Sequence, residues 1–155
     1  MNIEQDQTFT KKGSVWREKD VKVESLTELN NVVVGAGSSI GETATITNSV
    51  IGRQCVIPSS AVVEGSIIWN NVTLGEGCKV HGSIIMEGNN LSNDIRIGRG
   101  TVLLPKTNLP AHTQISDHES FTTYTSDGQP IEKSVDEDEE EVHPVPIGMS
   151  DLYQN

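Results

Sequence analysis

From Val23 to Ile115 a branched aliphatic residue returns at every fifth or sixth position. The series is Val23, Leu29, Val34, Ile40, Ile46, Ile51, Ile57, Val63, Ile68, Leu74, Val80, Ile85, Leu91, Ile97, Leu103, Leu109 and Ile115. Neither the helical period of about 3.6 nor the strand period of 2 produces such spacing. It is the spacing of hexapeptide repeats, and it predicts an all-β, left-handed parallel β-helix of five to six triangular coils. The handedness follows from that class of repeat. Each aliphatic anchors one short strand, and burying it contributes roughly 1.5–3 kcal/mol.

Over much of the run every third step is five residues long, as in Ile46 to Ile51, Val63 to Ile68 and Val80 to Ile85. Two steps of six and one of five give a coil of 17 residues, visible in ITNSVIGRQCVIPSSAV and VEGSIIWNNVTLGEGCK. Stacked coils put Val34, Ile51, Ile68 and Ile85 in one internal column. From Ile85 onward the five-residue step is gone. Four residues after each aliphatic comes a position read as a second inward slot. It holds Ala44, Val50, Cys55, Ala61, Ile67, Val72, Cys78, Ile84, Ile95 and Thr101. Gly35, Gly41, Gly52, Gly75 and Gly98 directly follow an anchor, where a tight corner leaves little room for a side chain.

The repeat divides the chain into a disordered lead-in over 1–20, a β-helix over 21–118 and an acidic, disordered tail over 119–155. Charge supports the last division. The formal net charge of -11 resides mostly in residues 127–155, which carry nine acids and Lys133, against 13 acids and 10 bases before them. The run Asp136-Glu137-Asp138-Glu139-Glu140-Glu141 repels itself and cannot bury itself. Its Ser134 side suits an acid-directed kinase. No basic stripe points to nucleic acid. No apolar run approaches the roughly 18 residues of a membrane span. The start lacks the apolar core of a secretory signal, so a cytosolic location is expected. Cys55 and Cys78 read as small buried thiols on different faces.

Chemistry is sparse. His81 directly follows the inward Val80 and is the best candidate base for a hexapeptide acyltransferase, but it stands alone. His112 and His118 are six apart, about one face of the triangle, so they diverge rather than share a zinc ion. Gly35-Ala36-Gly37 and Gly98-Arg99-Gly100 are coil corners, not phosphate loops, because no helix follows them. Residue types therefore predict a scaffold with no catalytic residue, cofactor or metal. Trp69 follows Ile68, and Met86 takes the same place one coil later. An outward tryptophan either flattens over its neighbours or anchors an interface. Trp69, Met86 and His81 are the candidate interface residues.

The stretches ITNSVIGRQCVI, SIIWNNVTLGEGCKVHGSIIMEGNN and IRIGRGTVL resemble the C-terminal β-helix of the epsilon subunit of eukaryotic translation initiation factor 2B. The lead-in SVWREKDVKVES and the acidic run after the last coil are similar to that family too. The resemblance covers about residues 13–141 and is most specific over 46–90. It implies a non-enzymatic assembly part of the guanine-nucleotide exchange complex for initiation factor 2, in the cytosol. The partners implied are the gamma-like and other subunits of that factor, with initiation factor 2 reached through the complex. In that family the exchange chemistry belongs to a helical domain beyond the acidic linker. That domain is not read in this chain, so no exchange residue is carried over. The other readings are a hexapeptide acyltransferase with His81 as base, and the β-helix tail of a nucleotide-sugar pyrophosphorylase or gamma-like subunit.

Overall fold

The computed structural model describes residues 9–117 and the backbone of 122–124 and 130–131. The chain winds as a parallel β-helix with three faces. The first face stacks β4 (Glu28–Val34), β6 (Thr45–Ile51), β8 (Val62–Glu64), β10 (Lys79–His81), β12 (Arg96–Ile97) and β14 (Gln114–Ile115). The second face stacks β2 (Val15–Glu18), the far halves of β4 and β6, then β9 (Ile67–Ile68), β11 (Ile84–Ile85), β13 (Thr101–Leu103) and β15 (Thr122–Tyr124). The third holds β3 (Lys22–Val23), β5 (Ser39–Ile40) and β7 (Val56–Ile57), continued by bridges at Thr73 and Asn90. All of these neighbours pair in parallel.

Register follows the sequence period. Ile51 stands opposite Ile68, Ile68 opposite Ile85, and Val63 opposite Val80, each 17 apart. Where the five-residue step ends, the offset becomes 18: Ile85 faces Leu103 and Ile97 faces Ile115. The anchors from Val34 to Ile115 are buried and form one core, with Val23 and Leu29 packed against its end. Cys55 and Cys78 are buried free thiols, and desolvation pushes both above the usual thiol range. Each donates from Sγ to a carbonyl of the next coil, Trp69 at 2.9 Å and Ser92 at 3.1 Å.

The corners explain how such short strands turn. Each of the three corner columns repeats one left-handed residue per coil. Asn31, Asn48, Gly65, Gly82 and Gly100 form one column, and Thr43, Ser60, Gly77, Asp94 and His112 another. Non-glycine residues cost about 1–2 kcal/mol in this conformation, least for Asn and Asp. The glycines that follow anchors act differently. Their φ is ordinary, but the next coil's backbone lies where a Cβ would sit, 2.5 Å away at Gly35 and 2.7 Å at Gly52.

Three expectations need correction. Val50, Ile67 and Ile84 do not face inward: Val50 and Ile67 are exposed and Ile84 is half-buried. The five-residue step removes one corner residue. Alternation along the strand then sends the third residue after the anchor inward and the fourth outward. Ser49, Ser66 and Ser83 take the inward slot and are buried. Their hydroxyls are satisfied locally, donating to the carbonyls of Thr47, Glu64 and His81 at 2.7–2.9 Å. Each of the first two also accepts the amide of the next serine in the column, at 3.0 and 3.1 Å. Thr101 occupies this slot where the step lengthens to six, and its buried hydroxyl has no partner.

The lead-in is not disordered from residue 9 on. Phe9–Lys12 forms β1, which pairs antiparallel with β2, and β2 is already the first rung of the second face. At the other end, part of the region read as tail is built into the fold. β15 pairs in parallel with β13, and β16 (Pro130–Ile131) closes it antiparallel. Both ends of the second face thus finish in an antiparallel strand that occupies the open edge, which limits edge-to-edge association. The acidic run Asp136–Glu141 and Ser134 lie outside the described residues.

One ion pair fastens the first coil to the stack. Glu18 is buried and receives Arg53 Nε at 2.8 Å, Arg53 Nη2 at 2.6 Å and the Ala36 amide at 2.7 Å. The Arg53 hydrogen bond, aided by the amide, holds the Glu18 carboxyl down at about 2, against an ordinary 4.5. A carboxylate with a depressed folded-state value contributes its stability above the unfolded value, and that stability is lost as pH falls through the folded value. The wild type is expected to lose thermal stability between about pH 4.5 and 2. Glu18→Gln should be less stable at pH 7 and show a flatter acid limb. Parallel acid limbs in melts of the two proteins would contradict this role.

Candidate interaction face

The misread aliphatics line up. Trp16 stands beside Val33, Val33 beside Val50, Val50 beside Ile67, Ile67 beside Ile84, and Ile84 beside Val102. This makes one outward apolar side chain per coil along the second face. Val50 is 44% and Ile67 43% exposed. The corresponding outward positions of the first face are Thr45, Val62, Lys79, Arg96 and Gln114. On the third face they include Lys22, Ser39 and Val56. The second face has an outward apolar side chain in coil after coil, whereas Val62 and Val56 stand among polar neighbours on the other two.

Trp69 and Met86 border this face at the corner leading to the third face. Trp69 remains 45% exposed although its amide is held by the Ile85 carbonyl at 2.9 Å. Met86 is half-buried. His81 lies on the other side of the face, at the end of β10, with Gly82 between it and the Ser83–Ile85 segment. The three candidate interface residues therefore do not form one cluster. They edge the same face from opposite sides. The ladder between them includes the exposed Val50 and Ile67, and the sequence pattern had assigned Val50, Ile67 and Ile84 to the core. At the N-terminal end, Phe9, Trp16 and Val33 line a shallow apolar recess, and Lys11 Nζ sits 4.8 Å from the centroid of Trp16.

His81 is partly exposed and its Nδ1 lies 3.4 Å from Glu64 Oε2, with Arg99 Nη2 3.9 Å from Glu64 Oε1. Such half-exposed surface pairs contribute little, up to about 1 kcal/mol. His112 Nδ1 lies 3.5 Å from Asp94 Oδ2 at a different corner. His118 is outside the described residues. Among the described residues no three His, Cys, Asp or Glu side chains gather as a metal ligand set. Also among them, no helix is long and apolar enough to cross a membrane.

A three-faced parallel β-helix with 17- and 18-residue coils is a hexapeptide-repeat domain. Its family model, the EIF2B subunit epsilon LbH domain, matches residues 12–115. The chain belongs to that family of left-handed β-helix domains. No curated protein matches the chain. Among solved structures it is similar to a mutant GDP-perosamine N-acetyl transferase from Caulobacter crescentus, in complex with CoA and GDP-perosamine. The TM-score is 0.53 at 19% identity, covering 75% of this chain and 55% of that one. PerB from the same organism gives a TM-score of 0.51 at 15% identity, covering 75% and 56%. These likenesses establish the hexapeptide-repeat fold. The chain spans little more than half the length of either enzyme.

Proposed function

We propose that this chain is a non-catalytic assembly module of an initiation factor 2B epsilon-like subunit, working in the cytosol in translation initiation. It pairs with the gamma-like subunit and reaches initiation factor 2 through the assembled exchange complex. By itself it catalyses no nucleotide exchange. The observation that carries this reading is the family match over 12–115 on a solenoid that keeps a tryptophan exposed beside an apolar face. An exposed tryptophan of this kind is the residue type most enriched among interface anchors.

Pull-down from a eukaryotic lysate should recover the gamma-like subunit, and recovery of no subunit of the factor would refute the reading. Trp69→Ala should weaken the association by about 2 kcal/mol, roughly 30-fold, as measured by equilibrium binding. Unchanged affinity would leave Trp69 as a side chain flattened on its own coil. The acetyltransferase neighbours give a rival experiment: acyl-CoA turnover lost in His81→Ala would replace assembly with acyl transfer.

A further inference from the structure

We propose that a groove on the first face is the docking site of this chain's own acidic run, Asp136 to Glu141. The stacked cations Lys79 and Arg96 receive its carboxylates, and the contact is intrachain and salt-sensitive.

The groove lies where the third face turns into the first. Lys79, Arg96 and Gln114 project from successive strands of the first face, with Asp94 and His112 at the corner beside them. Gly77 contributes no side chain to that corner, and the groove measures about 530 Å³.

Its charge is uncompensated. Lys79 and Arg96 stand directly opposite each other in the parallel register of β10 and β12. Like charges at facing strand positions repel, so the pair is costly unless an anion lies across it. Among the described residues neither cation makes an ion pair. The nearby acids are engaged elsewhere. Asp94 Oδ2 is 3.5 Å from His112 Nδ1, and Glu64 is shared by His81 and Arg99. Asp117 Oδ1 receives the Arg99 amide at 2.8 Å. On a chain of net charge -11, two unpaired cations side by side form a site for carboxylates.

Topology brings the acidic run to this groove. β13 starts after Gly100, at the corner between the first and second faces, and β15 runs parallel to it. β16 runs back antiparallel, with Thr123 opposite Ile131, so the chain leaves β16 toward that same corner. Four residues separate Ile131 from Asp136. Fully extended, the five steps between them cover about 17 Å. From β16, Arg96 is two strand spacings back along the stack, about 10 Å, and Lys79 three, about 14 Å. Crossing about three residues of the first face adds about 10 Å sideways, which puts the two roughly 14 and 17 Å from the exit. The first acids of the run reach both. The basic cluster of Lys11, Lys12 and Arg17 on β1 and β2 is roughly 34 Å back along the stack. That is the limit of a fully extended chain even for Glu141.

The test is carbodiimide cross-linking of the full chain, which joins a carboxylate to a lysine amine with loss of water, followed by peptide mass spectrometry. Lys106 is the comparison amine, exposed in a coil near the exit but at a different corner. In 0.1 M salt Lys79 should couple to an acid of 136–141 at least tenfold more than Lys106 does. Screening shortens from about 10 Å at 0.1 M to about 3 Å at 1 M, so 1 M salt should reduce the Lys79 product at least fivefold. Arg96→Glu replaces an exposed side chain and leaves the reactive amine in place, yet should reduce the product at least tenfold. An unchanged melting temperature checks the fold, and Arg96→Gln gives the same comparison if charge reversal lowers it. Coupling at Lys79 that is absent or only equal to that at Lys106 overturns the proposal. So does wild-type yield in 1 M salt or in the Arg96 variants. Products found only between chains, as a dimer on a denaturing gel, would assign the groove to the run of a second copy and overturn the intrachain contact.

Discussion

Ile68→Ala is expected to destabilise the protein by about 3–4 kcal/mol in urea denaturation. Ile68 is 1% exposed and stands in the column between Ile51 and Ile85. Removing its side chain leaves a cavity in a narrow interior. Ladder hydrogen bonds to both neighbouring coils hold the backbone, so the walls can relax little. The adjacent Ile67→Ala should cost no more than about 1 kcal/mol, because that side chain is 43% exposed. Two isoleucines adjacent in sequence thus give a difference of several-fold in ΔΔG. Equal effects would mean that the alternation assigned to this strand is wrong.

Gly75→Ala is expected to destabilise by about 3 kcal/mol, although it adds a single methyl group. A Cβ there would overlap the backbone carbonyl of Ser92 in the next coil. The obstruction is main chain rather than a flexible side chain, so two coils must separate to admit it. Gly65→Ala is the informative comparison. Gly65 has a φ of +58°, and its Cβ would meet nothing nearer than Gly82 at 4.0 Å. Its penalty should be only that of the left-handed conformation, about 1–2 kcal/mol. Chemical denaturation of both variants tests this. A Gly75→Ala protein as stable as Gly65→Ala would show that coil spacing can adjust.

These pairs also mark where reading the residues succeeded. The anchors were legible because their period persists for some ninety residues and no other regular structure shares it. The change from 17 to 18 residues per coil was legible for the same reason, since it is a loss of the five-residue step. The buried thiols were legible as small residues in inward slots. Trp69 was legible as an anomaly, an aromatic residue in a column that holds Gly52 one coil earlier.

The apolar face was not legible. In the text SVI, SII and SII, each serine reads as a corner and each following aliphatic as core. Hydrophobicity argues for that assignment, and strand alternation argues against it. Alternation prevails because Ile51, Ile68 and Ile85 are fixed inward, so the residue before each must point outward. The serine two before must then point inward. Burial of that hydroxyl is tolerable only because a carbonyl two residues back accepts its proton, a contact that exists only in the folded coil. The end strands were missed for a related reason. FTKK and TTY lack the hexapeptide anchor, and they become strands by pairing with β2 and β13.

The sequence alone therefore determined the β-helix, its columns, its core and its kinship with the epsilon subunit, since all of these follow from one long-range period and the order of the coils. Only the tertiary structure decided which side of the five-residue strands meets solvent. That choice depends on corner geometry, where one residue fewer inverts the facing of every position that follows until the next anchor. It turned three apparent core residues outward into one row beside Trp69, with Val50 and Ile67 exposed and Ile84 half-buried.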